Sequence, residues 1–292
     1  MTDNVLSPEP QIFSARRELE RLRTQNRLMY ECEMPILREL LAGRRDLKVL
    51  DVGSNNGEKT VRWFSDPAVV KVMGLEYNVP LALQAQENYG NGRFRFCPCD
   101  AEAEDFVPNV RALMAQEGID GFDVIYLSFL LSHLNAPETL LLRLRALLNP
   151  GGVLIAVETD DSSAALAPED RRFGEFLKIL SRDPFAGDRS LGGRLPSLLS
   201  GCGFRRPTRL CDAISAGPGE EERKAMIFEM FFSYLPEDVS ILLSEAPEEA
   251  LFAEWDRWLK AHHAALRRSI CAASSRISMG MSVVCAWNRE RS

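Results

Sequence analysis

Long apolar runs are missing from this sequence. The longest, such as residues 152–157, suits one buried strand and falls far short of the roughly 20 residues that a membrane-spanning helix needs. The opening MTDNVLSPEPQ lacks the basic-then-apolar order of a signal peptide, so a soluble cytoplasmic protein is expected, with no membrane partner. An excess of positive charge is missing as well. Asp and Glu number 42 against 35 Lys and Arg, for a net charge of −7. Affinity for nucleic acid comes largely from neutralising phosphates, so a dedicated nucleic-acid protein is disfavoured, although a local basic patch is not excluded. Paired cysteine motifs are absent too. The seven cysteines (Cys32, Cys97, Cys99, Cys202, Cys211, Cys271 and Cys285) are scattered, odd in number and without a C-x-x-C pair. That pattern fits reduced thiols better than a disulfide framework or a zinc site, and no metal is expected.

What is present is a patterned globular chain with 46% hydrophobic residues. Residues 1–13 read as a loose tail, because Pro8 and Pro10 block regular structure. Leu19, Leu22, Met29, Ile36, Leu37 and Leu40 then recur at helical spacing. Pro35 suits the first turn of a second helix, so two amphipathic helices are expected before the first strand. Strand-like runs follow at 48–52, 70–76, 93–97, 122–128 and 153–158, alternating with helix-like stretches at 58–64, 79–88, 103–117 and 137–148. Strict alternation builds βαβ units and hence a parallel sheet with helices on both faces. Beyond Asp161 the pattern predicts helices at 168–181 and 191–201, a strand from Phe204, a mostly helical segment over 219–275, and a final apolar run, MSVVCAW, of strand length. The expected division is a tail and helical cap (1–46), an α/β core (47–215), a helical insertion (216–275) and a last core strand (276–292).

The chemistry begins at VLDVGSNNGEKT, residues 49–60. A strand running into a glycine loop and then a helix presents backbone N–H groups to a nucleotide. A dinucleotide site wants G-x-G-x-x-G, but here Gly53 and Gly57 enclose Ser54, Asn55 and Asn56. No G-K-[ST] follows, so the loop is not a P-loop either. Glu76 ends the second strand-like run, about 20 residues beyond Gly53, where an acid can take the ribose hydroxyls.

In these features the sequence resembles the class I S-adenosylmethionine-dependent methyltransferases. Asp51, Gly53 and Gly57 match the first motif, and Asn55 departs from it at the middle glycine. Glu76 in GLEYN matches the ribose-binding acid, and CPCDAE matches the loop after the third strand. FDVIYLSFLLSHL, LLNPGGVLIAVE and MSVVCAW resemble the fourth, fifth and antiparallel seventh strands of that family. The resemblance implies a Rossmann-like, seven-stranded, mostly parallel sheet with an antiparallel last strand, an N-terminal helical extension and a helical insertion that serves as an acceptor lid. It implies S-adenosylmethionine as cofactor, held by Asp51, Gly53, Ser54, Asn55, Gly57, Glu76, Tyr77, Asp100, Ala101 and Ser128. Asp100 would accept from the adenine amino group, and Arg27 and Tyr30 would close over the cofactor carboxylate, with salt bridging on a solvated face as their alternative role.

His133, in the loop that faces the methyl group in such enzymes, is the candidate general base, with loop shaping as its alternative role. Asp100 has an alternative as a helix N-cap. Cys97 and Cys99 read as plain buried thiols, and His262 and His263 as surface residues. The expected reaction is methyl transfer to oxygen or nitrogen of a small organic acceptor, by a monomer or homodimer. No cysteine nucleophile and no N-P-P-Y signature stands after the fourth strand. The alternatives are an RNA (tRNA) methyltransferase and a non-catalytic S-adenosylmethionine-binding protein, with a dehydrogenase ranked last on glycine spacing.

Overall fold

The first described helix already departs from the pattern. In the computed structural model, which describes residues 16–289, one helix, α1 (Arg16–Leu41), replaces the two that were expected, and Pro35 lies inside it. Leu28, Met29, Met34, Leu37 and Leu41 are all buried, so the apolar stripe continues across the proline. That burial outweighs the backbone hydrogen bond a proline removes. The tail reading for residues 1–13 lies outside the described residues.

The alternation then unfolds as read: β1 (Leu47–Val52), α2 (Glu58–Trp63), β2 (Val69–Glu76), α3 (Val79–Tyr89), β3 (Phe94–Pro98), α4 (Phe106–Glu117), β4 (Phe122–Ser128), α5 (Pro137–Arg145) and β5 (Leu148–Thr159). A three-residue strand, β6 (Ala165–Ala167), follows, then α6 (Arg171–Leu180), α7 (Leu191–Gly201), β7 (Arg205–Ala216), α8 (Glu221–Phe232), α9 (Leu235–Glu245), α10 (Ala250–Ile270) and β8 (Arg276–Trp287). The short β6 makes the strand count among the described residues eight rather than seven.

The chain divides into two compact units. The sheet unit comprises Tyr30–Thr159, Ser190–Asp212 and the chain from Met281. Its strands lie in the order β3-β2-β1-β4-β5-β8. The first five are parallel, and β8 runs antiparallel to β5 with Val153 opposite Trp287 and Glu158 opposite Ser282. Strand order therefore reverses between β1 and β4, where Val52 pairs with Leu127. Alternate residues of these strands (Leu50, Met73, Ile125 and Leu154) are fully buried against Phe106, Val110, Leu140 and Leu195 from the helices, as the period-2 pattern of a covered sheet requires. The helical unit comprises the segment ending at Met29, Asp160–Arg189 and Ala213–Gly280. It holds α6 and α8 to α10, and β6 pairs antiparallel with Arg276–Ser278 of β8. Among the described residues no helix is long and apolar enough to cross a membrane.

One expectation is corrected here. Cys32 and Cys211 form a disulfide in the sheet unit, with Cα atoms 6.7 Å apart and 179 residues between them in sequence. Spacing cannot reveal such a pair, because only the fold brings α1 beside β7. The other five cysteines are free.

Candidate active site

The loop after β1 departs from extended backbone at three alternate positions. Gly53, Asn55 and Gly57 take φ values of 82°, 49° and 77°, the left-handed region that L side chains avoid. A Cβ on Gly57 would stand 2.9 Å from Cε1 of Phe96, whereas one on Gly53 would stand 3.3 Å from Cδ1 of Leu130, so packing as well as conformation requires Gly57, and conformation chiefly requires Gly53. Asn55 stands where the family motif has a glycine because asparagine is among the few side chains that tolerate this region. Its Oδ1 accepts from the backbone N–H of Asn56 at 2.7 Å, which locks the turn.

The β2 terminus braces this loop. Glu76 accepts from the Asn55 N–H at 2.8 Å through one carboxylate oxygen and from the Asn78 N–H at 2.9 Å through the other. Burial raises its pKa, and these backbone donors oppose the rise. Beneath the loop Asp51 accepts from the Thr60 hydroxyl at 2.6 Å, and burial pushes its pKa up to about 6. Ser54 is also buried, and its Oγ has no hydrogen-bond partner among the described residues.

Beyond Glu76 lies a groove of about 550 Å³ lined by Tyr77, Val79, Pro98, Cys99, Asp100 and residues of α4 including Ala112 and Leu113. Tyr77 is 61% exposed there. Asp100 does not cap α4, whose N-cap is Asp105. Its Oδ1 instead accepts from the Glu102 N–H at 2.9 Å, ordering the turn that carries the buried Ala101. Burial pushes the Cys99 thiol up to about 11, and Cys97 is buried, so neither is an activated nucleophile.

On the other side, at the junction of β1 and β4, a second set of side chains converges. Glu33 of α1 accepts from Lys59 Nζ at 3.1 Å, from Trp63 Nε1 at 2.7 Å and from the Tyr126 hydroxyl. Lys59 also donates to Ser128 Oγ at 2.7 Å. Tyr30 packs edge-on to Trp63, with ring centroids 5.3 Å apart, beneath the Arg62 guanidinium at 4.2 Å. Phe129, just past β4, has a φ of 53°, costly for a large aromatic. His133 is exposed at the end of the single turn Leu131–His133. Behind that turn Glu158 accepts from the Leu131 and Ser132 N–H groups at 2.7 and 3.3 Å. Glu158 is 1% exposed, its other oxygen has no partner among the described residues, and burial pushes it up to about 7. Sequence reading passed over Lys59 and Glu33, which look like ordinary helix charges. Glu158 is marked in the sequence only as the acid that ends an otherwise apolar strand and opens the loop after it.

Ten of the predicted residues, from Asp51 to Ser128, together with Tyr30 and His133, belong to the sheet unit. Arg27 does not. It lies in the helical unit, its guanidinium bonded to Glu222 at 2.9 Å with side chains 64% and 75% exposed. In that unit His263 is a correction, because it is no surface residue. It is half-buried between the Phe176 and Phe228 rings, with centroids 6.0 and 5.1 Å away, and its Nε2 lies 2.9 Å from the Phe232 carbonyl.

A family model described as a methyltransferase domain matches residues 22–187, more than half of the chain. The protein belongs to the class I S-adenosylmethionine-dependent methyltransferases. Solved structures agree on the fold. The Bacillus halodurans C-125 protein BH2331 is 16% identical, with a TM-score of 0.53 over 88% of this chain and 99% of that one. YcgJ of Bacillus subtilis is 16% identical, with a TM-score of 0.52 over 89% and 99%. The [4+2]-cyclase SpnF is 15% identical, with a TM-score of 0.52 over 88% and 81%. No curated protein matches the sequence. For this methyltransferase the cofactor is S-adenosylmethionine, and the cradle fits it. Gly57 has no room for a side chain, and each Glu76 oxygen, with two lone-pair sites, retains acceptor capacity after its backbone bond.

Proposed function

We propose that this methyltransferase carries a methyl group to an oxygen or nitrogen of a small organic acceptor. In this reading Glu76 takes the ribose hydroxyls, Tyr77, Asp100 and Ala101 flank the adenine, and Asp51, Gly53, Ser54, Asn55, Gly57 and Ser128 form the path of the methionine portion. Tyr30 supports that path through Trp63. Arg27, paired with Glu222 in the helical unit, is left out of it. The observation that carries the cofactor placement is the carboxylate of Glu76 bonded to the Asn55 N–H, which ties the ribose acid to the glycine loop.

When bound, the cofactor supplies a methyl group already activated on a sulfonium centre, so the residues have to orient the acceptor, exclude water and hold a proton. His133 takes that proton from the acceptor, because it stands in the loop after β4 and a histidine titrates near neutral pH. Glu158 fixes the same loop through the Leu131 and Ser132 N–H groups. The loop holds no cysteine, in keeping with direct displacement by oxygen or nitrogen. The net charge of −7 favours a small acceptor over RNA.

The test is incubation with methyl-labelled cofactor and either a small-metabolite extract or total tRNA. Label is expected in a small molecule, and label confined to tRNA refutes the reading. Replacing His133 by Ala should lower kcat while leaving the affinity for S-adenosylhomocysteine unchanged. An unaltered kcat removes His133 from its role.

A further inference from the structure

We infer that Lys59, together with Ser128, binds the carboxylate at the methionine end of the cofactor. The inference rests on the cofactor placement proposed above and names a residue that the sequence motifs do not mark.

Ligands of open α/β sheets lie outside the carboxyl ends of the strands where strand order reverses, and here that point is the β1/β4 junction. With the ribose at the end of β2 and the adenine beside β3, the amino-acid end has to run over β1 toward β4. Lys59 stands at that position. It follows Gly57 by two residues, and its Nζ reaches Ser128 Oγ, the last residue of β4, at 2.7 Å. The Lys59 side chain is 14% exposed. Its ammonium faces the rings of Trp63, Tyr126 and Phe129, with centroids 5.1, 5.2 and 5.9 Å away, an arrangement that stabilises a cation.

The simpler reading is that Lys59 only neutralises Glu33. Glu33, however, already accepts from two neutral donors, Trp63 Nε1 and the Tyr126 hydroxyl. Lys59 spends one of its three N–H bonds on Glu33 and one on Ser128, leaving a third donor. The left-handed Phe129 brings its ring over that ammonium at a backbone cost, and such strain gathers at ligand sites. A carboxylate meeting a charged N–H and a hydroxyl from opposite sides of the β1/β4 junction is a charge-assisted contact of the strong kind.

The experiment titrates S-adenosylmethionine and its decarboxylated form into the folded protein by calorimetry. The wild type should prefer the carboxylate-bearing ligand by roughly 10- to 100-fold. Lys59→Gln should abolish that preference while binding the decarboxylated form as the wild type does. The double variant Glu33→Gln/Lys59→Gln, which leaves no uncompensated buried carboxylate, should behave the same way and serves if the single variant does not fold. A wild type that binds both ligands equally, variants that keep the preference, or variants that lose both ligands equally each overturn the inference. A wild type that binds neither ligand instead refutes the cofactor placement on which the inference stands.

Discussion

The two units each bury a polar network, and the networks are built on different terms. In the helical unit the charges satisfy one another. Arg189 gives two donors to Asp161 at 2.8 and 2.9 Å and a third to the Tyr234 hydroxyl at 3.2 Å. Arg21 grips Glu18 at 2.6 and 2.7 Å and reaches Gln25 and the Met230 carbonyl. Asp183 and Asp238 face each other. Burial, and then the charge of Asp183, raises Asp238 so far that it keeps its proton at neutral pH. The Asp183 carboxylate itself accepts from the Phe185 N–H at 3.0 Å, and the hydrogen bond between the two acids opposes the effect of burial on Asp183. In the sheet unit the network ends at the strand termini with capacity unspent: a third Lys59 donor, the Ser54 hydroxyl and one oxygen of Glu158. A network closed on itself specifies packing, whereas one left open at a switch point is available to a ligand.

The comparison breaks most visibly at Arg189. Arg189→Met leaves the mostly buried Asp161 carboxylate, 12% exposed, without its ion partner and should cost about 3 kcal/mol, read as a lower denaturant midpoint. S-adenosylhomocysteine affinity of the folded fraction should not change, and a loss of affinity would erase the distinction between the networks. Next in size is Glu158. Its native pKa of about 7 lies above the ordinary value of 4.5, so the native state binds a proton that the unfolded chain has released. The contribution is fully present below pH 4.5 and is lost as pH rises through about 7. The loss amounts to at most about 3 kcal/mol, and Glu158→Gln should remove that slope from stability measured against pH. A third test sets two left-handed glycines against each other. Gly57→Ala meets Phe96 at 2.9 Å, whereas Gly118→Ala meets nothing within 4 Å. Expected costs are about 2–3 and about 1 kcal/mol, and equal melting temperatures would show the cradle to be looser than its geometry. The smallest effect belongs to Arg27→Ala, whose exposed pair with Glu222 should contribute under about 0.5 kcal/mol. Cofactor affinity should stay constant, and a drop would restore Arg27 to the site.

The sheet and the shape of the glycine loop were legible because their signals are local. Alternating apolar runs announce βαβ units, and Gly53 and Gly57 after a strand announce a tight turn, which the acid at the next strand end braces through the Asn55 N–H. What escaped depends on distant partners. Lys59 acquires meaning only when Glu33 and Ser128 arrive beside it, Cys32 when β7 brings Cys211, and His263 when Phe176 and Phe228 enclose it. Pro35 misled for the opposite reason, since its local rule was overridden by the burial of Leu28, Met34 and Leu37. The short β6 carries too few residues to show a period.

The antiparallel β8 also sets an order of events. Its residues from Met281 to Ala286 are wholly buried, and they pair with Val153–Thr159 from across the intervening helices. As the chain leaves the ribosome, β5 therefore emerges long before the strand that covers its edge. Until then a row of unpaired backbone groups and apolar side chains stands open, the kind of edge that invites pairing with another chain. The closing of this sheet is therefore a late, long-range step rather than a local one.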